Sequence, residues 1–151
     1  MYSVVLVLHS LWRWVVVLLG IWTVVRMASR MNASVADVKT KKVASWFVAA
    51  IDIQLLLGLL LFLGLSPTTK RLLVEGQIAL RDPHVLYWTM EHAIPMIIAV
   101  FIAHGGQVLL KRASTPARYK LALIVLGIAL LVILVSIPWP FRIQGRPWIR
   151  L

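Results

Sequence analysis

Apolar residues run almost without interruption in four stretches, and the polar residues fall between them. A helix needs about 20 mostly apolar residues to cross the hydrocarbon layer of a bilayer, and each stretch is of that order. The first covers Tyr2 to Val25 and ends at Arg26 and the polar stretch through Lys42. The second runs from Val43 to Leu65 and closes at Ser66-Pro67. The third begins at Pro83 and ends at Lys111-Arg112. The fourth extends from Leu121 to Ile137 and is stopped by Pro138 and Pro140, which have no N–H with which to continue a helix. Asp82-Pro83 reads as a helix start, Asp as N-cap and Pro in the first turn. Between the second and third runs, Leu72, Leu73, Val74, Ile78 and Leu80 alternate with polar residues, the pattern of a short amphipathic helix in the membrane interface. The expectation is an all-α membrane protein: one four-helix transmembrane domain over 1–151, an up-down-up-down bundle, with a basic tail from 138 to 151.

Composition sharpens this picture. Of 151 residues, 61% are hydrophobic and the mean hydropathy is +0.90, more apolar side chain than a soluble domain of this length can cover. The first run has no basic segment before it and no small-residue cleavage site, so it is expected to be a retained helix rather than a removed leader. The formal net charge is +11, but the basic residues form short blocks between apolar runs. That pattern fits loops beside anionic headgroups and excludes a nucleic-acid surface with interleaved stacking aromatics. With no cysteine, disulfides, thiolate metal sites, iron–sulfur clusters and covalently attached haem are excluded. Nine Lys and Arg lie in the first and third loops (Arg26, Arg30, Lys39, Lys41, Lys42, Lys111, Arg112, Arg118 and Lys120). Six lie in the second loop and tail (Lys70, Arg71, Arg81, Arg142, Arg146 and Arg150). The bias predicts that the first and third loops are cytoplasmic and both termini lie outside. Trp22, Trp46, Trp88 and Trp139 fall near helix ends, as interfacial anchors do.

Ionisable residues inside membrane helices are costly and usually face the bundle interior. Six stand here: His9, Arg13, Asp52, Glu91, His92 and His104. His84, beside Pro83, is read as a solvated interfacial residue. His9 and His92 lie about two turns into the first and third helices from the same side, hence at similar depth. Neighbouring axes in a bundle are ~8–10 Å apart, and diagonal ones farther by about the square root of two. Two inward imidazoles across that diagonal leave room for a flat macrocycle with a metal at its centre, and haem held by two histidines is the expected occupant. Arg13, one turn below His9 on the same face, reaches back outward, toward a haem propionate or Glu91. Gly20, near the same stripe, lets a cofactor or another helix approach closely. Pro95 leaves the carbonyl of Glu91 without its helical partner and should kink the helix beside His92. Nearer the other end, Asp52 and His104 lie at comparable depth, placed to hydrogen-bond, relay a proton or bind a metal. Against the cofactor site stands a plain reading: the polar residues glue helices together, at ~0.6–2 kcal/mol per bond. Met90 and Met96 read as packing residues. Trp12 and Trp14 either stack on a porphyrin or face lipid. Phosphate-binding glycine loops, paired catalytic carboxylates and HExxH are absent.

His9 with Arg13-Trp14, the stretch from Gln54 to Gly58, Glu91-His92, His104-Gly105 and Pro138-Trp139-Pro140-Phe141 together resemble small bacterial four-helix membrane proteins labelled cytochrome b-like. The resemblance spans nearly the whole chain, in short motifs. It implies b-type haem and electron transfer in the bacterial inner membrane, more an electron carrier or subunit than a stand-alone enzyme. The group is expected to carry a histidine near Asp52; aspartate here leaves the outer pair, His9 with His92, as the haem site. Expected partners are the lipid bilayer, a quinone, and other membrane redox subunits or a second copy of the chain. The alternative is a cofactor-free accessory subunit of a larger respiratory or photosynthetic complex, docking through its basic tail.

Overall fold

The computed structural model describes residues 1–33 and 35–149. The chain is 81% helical and, among the described residues, four helices are long and apolar enough to cross a membrane: Tyr2–Ala28, Val38–Leu65, Pro83–Lys111 and Pro116–Ser136. These are the first to fourth spans below. Two of them start several residues before their apolar runs, because each is set by a cap rather than by hydropathy. Asp37 accepts from the Thr40 N–H and starts the second span at Val38; Thr115 accepts from the Arg118 N–H and starts the fourth at Pro116. Both caps satisfy backbone donors that a helix leaves free at its N-terminus. The second connection folds as a helix, Pro67–Glu75, and a tight helical turn, Gly76–Arg81.

The first span packs on the second and the fourth, and the third span likewise, so the first and third are diagonal. Contacts fix the register. Arg26 bonds Thr40, Trp12 donates to the Ala50 carbonyl and Gln54 reaches His9, so residue numbers rise along one span as they fall along the other. Small residues allow the closest approaches. A Cβ on Gly20 would stand 2.6 Å from Leu130 Cδ1 and 2.8 Å from Phe47 Cε2; one on Gly106 would stand 2.7 Å from Leu126 Cγ. Gly20 therefore lets neighbouring helices approach closely, the second of the two roles expected of it. Phe47 and Leu126 beside these glycines are fully buried, as are Met27, Leu110 and Tyr119.

The second and third spans each contain a widened turn with hydrogen bonds reaching five residues back, over Leu60–Leu65 and Tyr87–Ala93. In the first of these, Ser66 N–H donates to the Leu61 carbonyl at 2.7 Å. Each stops just short of a proline, Pro67 or Pro95, whose missing N–H frees a carbonyl one turn back. The disturbance expected from Pro95 takes this form. Widened turns of this kind recur at functional sites, and both lie at the end of the bundle that holds His9 and His92.

Candidate functional site

The site begins with the way the fourth span ends. Pro138 and Pro140 cannot donate to the carbonyls four residues back, those of Leu134 and Ser136. Both carbonyls are taken by side chains. The indole N–H of Trp139 donates to Leu134 at 2.7 Å. His92 Nδ1 donates to Ser136 at 2.9 Å, and the Tyr87 hydroxyl reaches the same oxygen at 3.4 Å. A histidine whose Nδ1–H is held by a carbonyl presents the Nε2 lone pair in a fixed direction, the arrangement that metal-ligating histidines use.

Across the diagonal stands His9. The two imidazole centres are 6.4 Å apart with ring planes at 75°, so the depth count along the two spans does bring them together. The side-chain amide N–H of Gln54 donates to His9 Nε2 at 3.2 Å and to the His9 carbonyl at 3.1 Å. His9 Nδ1 is buried without a partner. Gly58, one turn beyond Gln54, makes room for the ring: a Cβ there would stand 3.2 Å from His9 Cε1.

Beside the rings, a cavity of about 420 Å³ lies between the first three spans, within the size range of small-molecule sites. Leu6, Leu55, Leu59, Phe62, Met96 and Ile97 give it apolar walls, and His9, Gln54, Trp88, His92 and Arg146 contribute polar groups. Both widened turns border it, through Phe62 on one side and Trp88 and His92 on the other.

The tail folds back over this end. Gly145 closes the turn: its N–H donates to the Arg142 carbonyl at 2.8 Å, and a Cβ there would lie within 2.7 to 2.8 Å of three backbone oxygens. Arg146 N–H then donates to Pro138, and its guanidinium lies over the Trp88 ring, 5.0 Å from the centroid. Two residues on, the Trp148 carbonyl accepts from Arg13 and from the Trp14 indole, each at 2.9 Å. Trp14, Trp139 and Trp148 pack on one another. The tail's first use is thus within its own chain, as a cover. Arg150, counted with the tail charges above, lies outside the described residues.

Several expected site residues are placed differently. Arg13 is buried as expected, but it bonds the Trp148 and Pro147 carbonyls and makes no ion pair with Glu91. Glu91 is exposed on the flank of the third span and is not part of the His9–His92 site. Adjacent helical residues diverge by about 100°, so a third-span residue next to an inward His92 points away. Trp12 donates to the Ala50 carbonyl, and Trp14 stacks on the tail; their polar edges are used for packing within the chain. His84 is exposed as expected, with Nδ1 3.3 Å from Gln144 Oε1. Asp52 and His104 do meet, Oδ1 to Nε2 at 2.9 Å, but each is nearly half exposed on the outer flank of the second and third spans. No group of three or more His, Cys, Asp or Glu that could hold a metal ion occurs among the described residues. No family model matches the chain, and no curated protein or solved structure matches it.

Sequence reasoning did not single out Ser136 and Gly145, and it named Gln54, Gly58 and Arg146 without giving them a place in this site. Gln54 carried a usable signal, a lone amide mid-span one turn before a glycine. The Ser136 carbonyl carried another, since it lies four residues before a proline.

Proposed function

We propose that this protein is a small membrane b-type cytochrome, an electron carrier or haem-binding subunit in which His9 and His92 hold haem between the first and third spans. One observation carries the reading: two imidazoles on diagonal spans, 6.4 Å apart, open onto a largely apolar cavity of about 420 Å³. An ion held by both imidazoles through bonds of about 2 Å would put the ring centres roughly 6 Å apart, so His9 and His92 are spaced as residues that would hold haem. Two histidines are also fewer protein ligands than a bare-ion site would need. The orphaned His9 Nδ1 and the fixed His92 ring agree with it. Bound haem supplies one-electron exchange at its iron.

The chain's own residues do the rest. Ser136 sets the tautomer of His92, Gln54 steadies His9, and Leu59, Phe62 and Met96 keep water away. Arg13 and Arg146 place positive charge at the same end, which favours the electron-rich state. The proposal places the chain in a bacterial inner membrane as an up-down-up-down bundle. Its first and third loops face the cytoplasm, and it exchanges electrons with a quinone, neighbouring redox subunits or a second copy.

A second reading has its own support: Gln54 already occupies His9 Nε2. A cofactor-free accessory subunit, with this cluster serving as helix glue, would look the same in that detail. The protein purified from haem-replete cells separates the two. The cytochrome reading expects a Soret band and a sharp α-band on dithionite reduction, each lost or shifted in His9→Ala and in His92→Ala. A colourless wild-type protein overturns it and leaves the accessory reading.

A further inference from the structure

We infer that Arg13 and Arg146 form a carboxylate-binding site, taking the head of an amphipathic ligand whose apolar body fills the adjoining cavity. Charge is the first argument. No Asp or Glu lines either cavity at this end among the described residues, whereas Arg146 lines both and Arg13 lines the smaller one. Arg13 is only 8% exposed. Its partners are two backbone carbonyls and the face of Trp14, 5.4 Å away, and its Nε is buried with no partner. Carbonyl oxygens offset part of the desolvation but carry no net charge. A guanidinium held inside a membrane bundle is far better accommodated beside an anion. Arg146 repeats the pattern, with its guanidinium on Trp88 and its Nε buried and unpartnered.

Space is the second argument. A cavity of about 60 Å³ lies between Arg13, Arg146, Ser10, His9 and His92. A buried water takes about 30 Å³, so the space admits one carboxylate. It shares His9, Gln54, Trp88, His92 and Arg146 with the larger apolar cavity, so the two adjoin. The combined shape is a polar, cationic head and an apolar body. The planar fork of an arginine suits a carboxylate, to which it can donate two parallel bonds.

Two kinds of molecule share this chemistry: a porphyrin through its propionates, and a fatty acid. The porphyrin form rests on the cytochrome reading above; the acyl form does not. Both are tested on the detergent-purified full chain by quenching of tryptophan emission. Metal-free protoporphyrin IX is compared with its dimethyl ester, and a doxyl-labelled palmitate with its methyl ester. One acid should bind about tenfold or more tighter than its ester, the scale of a charge-assisted bond, and the pair that discriminates names the source. Arg146→Gln, at a partly exposed position, should bring that ratio close to one. Arg13→Lys, which keeps the charge and loses the fork, should lower it in part. Equal binding of acid and ester in both pairs overturns the site, as does a preference that Arg146→Gln leaves unchanged. Because the porphyrin carries no iron, the two proposals fail separately. A protein that binds haem but takes acid and ester equally in both pairs loses only the carboxylate site; a colourless protein that still prefers the fatty acid to its ester loses only the cytochrome reading.

Discussion

The two ends of the bundle are built on opposite plans. Around the first and third loops, Asp37 is paired twice and helices are in close contact. Arg26 and Arg30 each reach Asp37 at 2.9 Å, Arg26 also bonds Thr40, and Phe47, Tyr119 and Leu126 are completely buried nearby. Around the tail, two histidines and two arginines converge without an acid, two helices widen, and a cavity remains. His9 Nδ1, Arg13 Nε, Gln54 Oε1, Trp88 Nε1 and Arg146 Nε are all buried there without partners. Satisfied polar groups and dense packing are what stability selects. Tyr119 Oη is also unpartnered at the packed end, but departures concentrated at the other end mark the place where function and stability diverge.

Glycine substitutions test that contrast most severely. Gly106→Ala would put a Cβ 2.7 Å from Leu126 Cγ and 3.2 Å from its backbone nitrogen, and a backbone atom cannot swing aside. The expected loss is about 1–3 kcal/mol, the usual cost of overpacking, read as a lower thermal midpoint in detergent. Gly20→Ala meets only the ends of the Leu130 and Phe47 side chains and should lose less. At the other end, Gly145→Ala forces a Cβ against three backbone oxygens, but only the tail depends on that turn. Its thermal midpoint should stay near wild type while Trp14 and Trp148 become more solvent-exposed, seen as a red-shifted emission and faster tail proteolysis. If Gly145→Ala lowers the midpoint as much as Gly106→Ala, the tail belongs to the core and the two-plan description is wrong.

The same division explains what the sequence could disclose. Four spans were legible because some 20 consecutive apolar residues leave a chain few alternatives. The starts at Val38 and Pro116 were not, because caps at Asp37 and Thr115 carry those helices past the point where hydropathy falls. Counting turns brought His9 and His92 to one depth, and Asp52 to His104, since rise per residue is nearly constant. Which way a residue faces was less secure. Glu91 follows from its position next to His92 only once His92 is known to point inward. Arg13 was expected to find a carboxylate or a propionate and instead holds carbonyls of a tail 134 and 135 positions away. That contact depends on a turn at Gly145 and on two prolines ending the fourth span, and neither leaves a periodic trace.

The gentlest probe is pH, applied to the paired end. Hydrogen bonds from Thr40, through its hydroxyl and its backbone N–H, together with Arg26 and Arg30, hold the Asp37 carboxyl down from the ordinary 3.8 to about 2. A depressed carboxylate stabilises the folded state above its unfolded pKa, and the contribution is lost as pH falls through the folded one. Asp37 should therefore add stability fully above about pH 4 and surrender it between there and about 2. The carboxylate is close to the surface, so solvent screening keeps the effect small. Asp37→Asn preserves a good helix cap and removes the charge, so it should flatten this part of the pH dependence with only a slight fall in the midpoint at neutral pH. The tail-end chemistry offers a control: porphyrin or acyl binding, measured at neutral pH, should not change in Asp37→Asn. A loss of binding there would mean that the two ends are coupled through the bundle, and the packed half would then be part of the site rather than its support.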